Sequence, residues 1–111
     1  MPRSYQEIEF IKPWVSLLDD ESAAGLCEEL RREVGGGHPL YRLNTRAIAR
    51  RVDCDDVLFA VDAAPFSFAV VHLTFRGTAE SNPLWPETAT FATLEDWIAQ
   101  RMKPDSHDYT S

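Results

Sequence analysis

Val57-Leu58-Phe59-Ala60-Val61 and Phe68-Ala69-Val70-Val71-His72-Leu73-Thr74-Phe75 decide how this chain folds. They are its densest runs of β-branched and aromatic residues. Asp55-Asp56, Ala64-Pro65 and Gly77 bound them. Short apolar runs between turn signals read as buried strands. Ala47–Val52 supplies a third strand just upstream. The connections between the three are too short for a parallel crossover, so the strands near 46–52, 57–62 and 67–76 form an antiparallel meander.

The flanks read as helices. Ala23, Leu26, Cys27, Leu30 and Val34 make one apolar stripe over a helix near 20–34. Asp19-Asp20-Glu21 suits its positive end and Arg31-Arg32 its negative end. Gly35-Gly36-Gly37 is expected to end it in a left-handed turn. Before it, Trp14, Leu17 and Leu18 are spaced for a helix after Pro13, whereas Glu7-Ile8-Glu9-Phe10 alternates like a strand, so an extra N-terminal strand or helix is expected. After the sheet, residues 77–92 form a long connection containing Asn82-Pro83-Leu84-Trp85-Pro86. Thr93-Leu94-Glu95-Asp96 resembles a capping box with Asp in place of Glu, opening a helix near 93–103 that buries Leu94, Trp97, Ile98 and Met102. Pro104 should stop it. The reading is one α+β domain over residues 1–103, a three-stranded antiparallel meander against two helices in the order α-β-β-β-α, and a disordered tail over 104–111.

A register follows if Val52 opposes Val57 and Val61 opposes Phe68. One face then carries Ala47, Ala49, Leu58, Ala60, Val71 and Leu73, under both helices, with Leu26, Leu30, Trp97 and Ile98 in the same core. The other carries Arg50, Phe59, Val70, His72 and Thr74. Two short helices ordinarily cover one face of a three-stranded sheet. The second face then needs residues 1–18, the Trp85 loop or another molecule.

Composition narrows the function. In 111 residues with 44% hydrophobic side chains there is enough apolar mass for a core without disulfides or metal. Cys27 and Cys54 form no CxxC, which suits reduced thiols in a cytoplasmic protein. Met1–Phe10 has no apolar signal-peptide core, and no run is long enough to cross a membrane. A net charge of −7 argues against nucleic-acid or anionic-membrane binding. The charge is uneven: residues 31–51 hold six arginines and one acid, a local +5 that leaves −12 elsewhere. Those arginines answer nearby aspartates such as Asp53, Asp55, Asp56 and Asp62, or read an anion.

No catalytic set is visible. There is no GxSxG, no histidine pair with metal-ligand spacing and no phosphate-loop lysine after the three glycines. Asp53, Asp55 and Asp56 around Cys54 disfavour its thiolate, and Cys27 sits on the helix stripe. His72, mid-strand, reads as a packed histidine or a general base. Trp14 and Trp85 border prolines and suit an interface.

Gly37-His38-Pro39-Leu40, Asp55-Asp56-Val57-Leu58-Phe59, Ala69-Val70-Val71-His72-Leu73-Thr74, Trp85-Pro86 and Asp96-Trp97 together resemble a family of small bacterial proteins, a domain of unknown function. The resemblance covers most of the chain after residue 14 and implies a bacterial, cytoplasmic setting without a mechanism. The expected function is a non-catalytic interaction protein that binds a protein partner, or itself, through the apolar sheet face. The alternative is an anionic-ligand binder or enzyme around Arg50, His72 and Trp85. Binding candidates are Arg50, Phe59, Val70, His72, Thr74 and Trp85, with no metal and no cofactor.

Overall fold

A sheet that is apolar on both faces needs cover on both sides, and here each helical segment takes one. The computed structural model describes residues 9–18, 21–62, 66–75 and 86–110. Its elements are β1 (Trp14–Ser16), α1 (Ser22–Glu33), β2 (Thr45–Arg51), β3 (Asp56–Val61), β4 (Phe68–His72), β5 (Thr88–Phe91), α2 (Leu94–Trp97), a π turn (Ile98–Met102) and α3 (Lys103–Thr110). The five strands form one antiparallel sheet in the order β1-β2-β3-β4-β5.

The α+β class and the central meander hold. Three strands, however, understate the sheet. Trp14-Val15-Ser16 is an edge strand, not a helical turn: it pairs antiparallel with β2, Trp14 opposite Arg51 and Ser16 opposite Ala49. Thr88-Ala89-Thr90-Phe91, placed by sequence inside a connection, pairs with β4 as the other edge. Only Phe91 of its four residues is buried, so the apolar signal was too thin to read. Nor is the C-terminus a disordered tail. Helix continues past Pro104 because a π turn precedes it, closed by the Lys103 N–H donating to the Ile98 carbonyl. The wider turn accommodates a residue that cannot donate.

At the other helix the ends differ from expectation too. Val34 leaves α1 by turning extended, and of the three glycines only Gly37 takes a positive φ, at 95°. Asp19 and Asp20 lie outside the described residues.

Register decides the rest. Phe59 opposes Ala69 and Leu58 opposes Val70, one residue off the expected alignment. Between β2 and β3 the alignment differs by two residues near Arg50, which opposes Val57, and a bulge at Ile48 turns Ile48 and Ala49 to one side. A slip of one residue exchanges faces. The expected single core is therefore two. Under α1 lie Leu26, Leu30, Ala47, Val57, Phe59, Ala69, Val71 and Leu73. Under the C-terminal helices lie Trp14, Ile48, Leu58, Val70, Leu94, Trp97 and Met102.

Trp97 centres the second core. Its ring meets Trp14 edge-on at 5.1 Å and Phe10 at 5.9 Å between centroids. Thr93 caps the helix as expected, its hydroxyl accepting the Asp96 N–H at 3.1 Å. Trp97→Ala should cost about 3–5 kcal/mol on the scale of core truncations, measured by urea denaturation. Its indole N–H is buried without a partner among the described residues. Trp97→Phe, which deletes that N–H and keeps most of the volume, should cost under about 2 kcal/mol.

Candidate functional site

The polar end of the C-terminal face begins with a cross-strand pair. Asp56 opens β3, His72 closes β4, and the two stand opposite each other. Because Val57 and Val71 turn to α1, Asp56 and His72 turn to the C-terminal helices. The protonated Nδ1 of His72 donates to Asp56 Oδ1 at 2.7 Å. Arg101, on the π turn, donates Nη2 to the other oxygen, Asp56 Oδ2, at 2.9 Å.

From Arg101 the network runs back to the sheet edge. Asp105 Oδ2 accepts from Arg101 Nε at 3.2 Å and from Trp14 Nε1 at 2.9 Å, and Arg51 Nη1 lies 3.3 Å away. Arg51 in turn grips Asp53 with two bonds of 2.9 and 2.8 Å. Alternating charges thus tie β2, β3, β4 and α3 together. Burial pushes the Asp56 carboxyl up, but the bonds from His72 and Arg101 outweigh it and hold its pKa below the ordinary carboxylate value.

A cleft of about 310 Å³ opens beside this pair, lined by Asp56, Val70, His72, Glu87, Thr88, Ala89 and Arg101. With Nδ1 committed to Asp56, a neutral His72 presents Nε2 as an acceptor, and Nε2 has no partner among the described residues. The Glu87 carboxylate is likewise uncommitted there. No serine, threonine or cysteine is bonded to His72, so the pair lacks an adjacent nucleophile among the described residues.

The residues proposed from sequence do not assemble. His72 and Val70 do line this cleft, although Val70 is only 3% exposed and serves mainly as core. Phe59 is fully buried under α1, on the opposite face. Arg50 opposes Val57 and so sits on the α1 side as well. Thr74 is taken up by Glu33: its N–H and hydroxyl both donate to Oε1, at 2.8 and 2.9 Å. Trp85 lies outside the described residues. Trp14, suggested as an interface anchor, is interior. Arg101, Glu87 and Asp105 went unseen. The Arg101–Asp105 spacing of i, i+4 was a usable signal, hidden by ending the helix at Pro104.

Two buried polar side chains support the scaffold. Glu33, fully buried at the last position of α1, also accepts the Phe75 N–H at 2.9 Å, where Phe75 takes a positive φ of 58°. Burial, and then the neighbouring Glu29 carboxyl, raise its pKa against those three bonds. His38, 4% exposed, accepts the Leu40 N–H at Nδ1 and faces the Pro86 carbonyl and Thr88 hydroxyl from Nε2, at 3.0 and 3.1 Å. It fastens the connector after α1 to the start of β5, beside the cleft.

Among the described residues no group of three metal-binding side chains forms, and no helix is long and apolar enough to cross a membrane. Comparisons with protein-family models, with curated proteins and with solved structures find no match. Function is therefore read from the chain's own side chains.

The burial of His38 lowers its pKa below the ordinary 6.5, against the raising effect of Pro86. Its contribution to stability is then complete above 6.5 and is lost as pH falls, because the unfolded chain takes up the proton first. His38→Gln keeps an Nε2 donor and does not titrate. It should flatten the fall in urea stability between about pH 6.5 and pH 5. An unchanged slope would assign that fall to other groups.

Proposed function

We propose that the protein is a small-ligand binder whose site is the cleft over His72, Glu87 and Arg101. The observation that carries this reading is the commitment of His72 Nδ1 to Asp56, which leaves Nε2 oriented by its neighbour and uncommitted beside a cleft. A binding group held by a second residue is what directional recognition needs. At about 310 Å³ the cleft is at the small end of ligand sites, suited to a molecule of few atoms.

The uncommitted groups favour a hydrogen-bond donor over the anion expected from the arginine count. Asp56 is ion-paired with Arg101 and accepts from His72 Nδ1, while the Glu87 carboxylate and, in the neutral ring, His72 Nε2 remain to accept. A primary amine or a vicinal diol satisfies them. Without a nucleophile bonded to His72 among the described residues, binding is favoured over covalent catalysis.

An interaction protein is the second reading, favoured by the net charge of −7. Its expected surface, a bare apolar sheet face, is taken by a helix on each side, so a partner would recognise charge. A bacterial, cytoplasmic setting is compatible with either.

Titration with ethanolamine, with acetate as control, separates the readings by amide chemical shifts. Ethanolamine should move His72, Glu87 and Thr88, and His72→Ala should abolish the response. Since His72 is about half exposed, that substitution should cost under about 1 kcal/mol of stability. A preference for acetate at these amides, or no response to amines or diols, would sink the proposal.

A further inference from the structure

The longest unanswered question in the arginine-rich segment is what Arg42 does. Three other arginines of the segment are occupied: Arg31 pairs with Glu28 at 2.7 Å, Arg32 with Glu29 at 3.1 Å and Arg51 with Asp53 at 2.8 Å. Arg42 has no acid partner among the described residues. Its guanidinium lies over the ring of Tyr41, 5.4 Å from the centroid.

Its backbone is unusual as well. The Leu43 N–H donates to the Leu40 carbonyl at 3.2 Å, closing a turn in which Arg42 is the third residue, with φ at 63°. Turns with a positive φ at that place ordinarily put Gly or Asn there. An arginine keeps a steric conflict that glycine would remove, and among the described residues it gains no ion pair in return. Strain of this kind gathers where a side chain meets a ligand.

A groove of about 210 Å³ adjoins this turn. Leu30 of α1 and Val34 just after it, with Leu40 and Leu43, give it an apolar floor, while Tyr41 and Arg42 stand beside it. Arg31 lines it too, and its own pair with Glu28 is largely exposed, hence easily exchanged. Among the described residues no acid lines the groove, in a chain of net charge −7.

We propose that this groove binds a small apolar molecule bearing a carboxylate, with Arg42 as the anion-binding group. An apolar cavity of about 150 Å³ takes a benzene ring, so the groove has room for a ring or short chain with an acid group. Arg31 adds a second positive charge. The site lies on the α1 side, away from the His72 cleft, and stands or falls independently of it.

The test uses the full chain, 3-phenylpropanoate as probe and 3-phenylpropanamide as the neutral control, followed by amide chemical shifts. The probe should shift residues 30–34 and 40–45 saturably, and the amide should bind at least about tenfold more weakly, as expected for losing a charge-assisted bond. Arg42→Gly is the decisive variant, because glycine suits the turn and the protein will fold. It should raise the melting temperature and weaken the carboxylate at least about tenfold, while His72→Ala leaves this binding unchanged. Equal affinity for acid and amide overturns the proposal. So does unchanged affinity in Arg42→Gly, or no shift at residues 40–45 up to about 10 mM probe. A lower melting temperature in Arg42→Gly would make Arg42 a structural residue and overturn it as well.

Discussion

The fold depends on the register between β3 and β4. Val57 opposite Val71 and Leu58 opposite Val70 put two apolar layers on one pair of strands, one layer on each face. Neither layer tolerates water, so the chain places α1 over one and α2 to α3 over the other. Both sites follow from this division. The His72 cleft opens where the π turn passes the ends of β4 and β5, and the Arg42 groove opens where α1 gives way to the connector before β2. Moving β4 by one residue would put His72 beneath α1 and Val71 on the polar end, abolishing both cores at once.

Much of this was legible in the sequence. Apolar runs located β2, β3 and β4 within a few residues, and the stripe of α1 and the Thr93 cap located both helical segments. What the runs do not contain is phase. Phe68-Ala69-Val70-Val71 is apolar at every position, so alternation cannot tell which of Val70 and Val71 faces α1. Nor does any residue type announce the bulge at Ile48, flanked as it is by two alanines. Edge strands suffer from the opposite problem: Trp14-Val15-Ser16 and Thr88–Phe91 each bury a single residue, too few for an alternation to show.

The candidate site was less legible because it is assembled from distant chain positions. His72 stood out, but its meaning comes from Asp56, sixteen residues away, and from Arg101 on a helix that seemed to end at Pro104. Asp56 looked like a turn aspartate and is instead the centre of an ion-pair chain. The arginines read as a single basic segment separate once strand and helix geometry are imposed. Arg31 and Arg32 turn to acids on their own helix and Arg51 to Asp53 and Asp105, which leaves Arg42 and Arg50 without acids among the described residues.

Glu33 and His38 show how the scaffold holds such sites in place. Glu33 sits at the negative end of α1, where a carboxylate is disfavoured, and is buried beside Glu29. Three donors from Thr74 and Phe75 offset that cost, and in doing so they turn the chain away from β4 immediately after His72. His38 makes the complementary attachment at the start of β5. The two groups respond to pH in opposite directions. Glu33, with a raised pKa, contributes most below its ordinary 4.5 and loses stability as pH climbs through the raised value. His38, with a lowered pKa, contributes most above 6.5 and loses stability as pH falls. Between those two ordinary values the slopes oppose each other. The attachments on either side of the His72 cleft therefore hold against acid better together than His38 would alone.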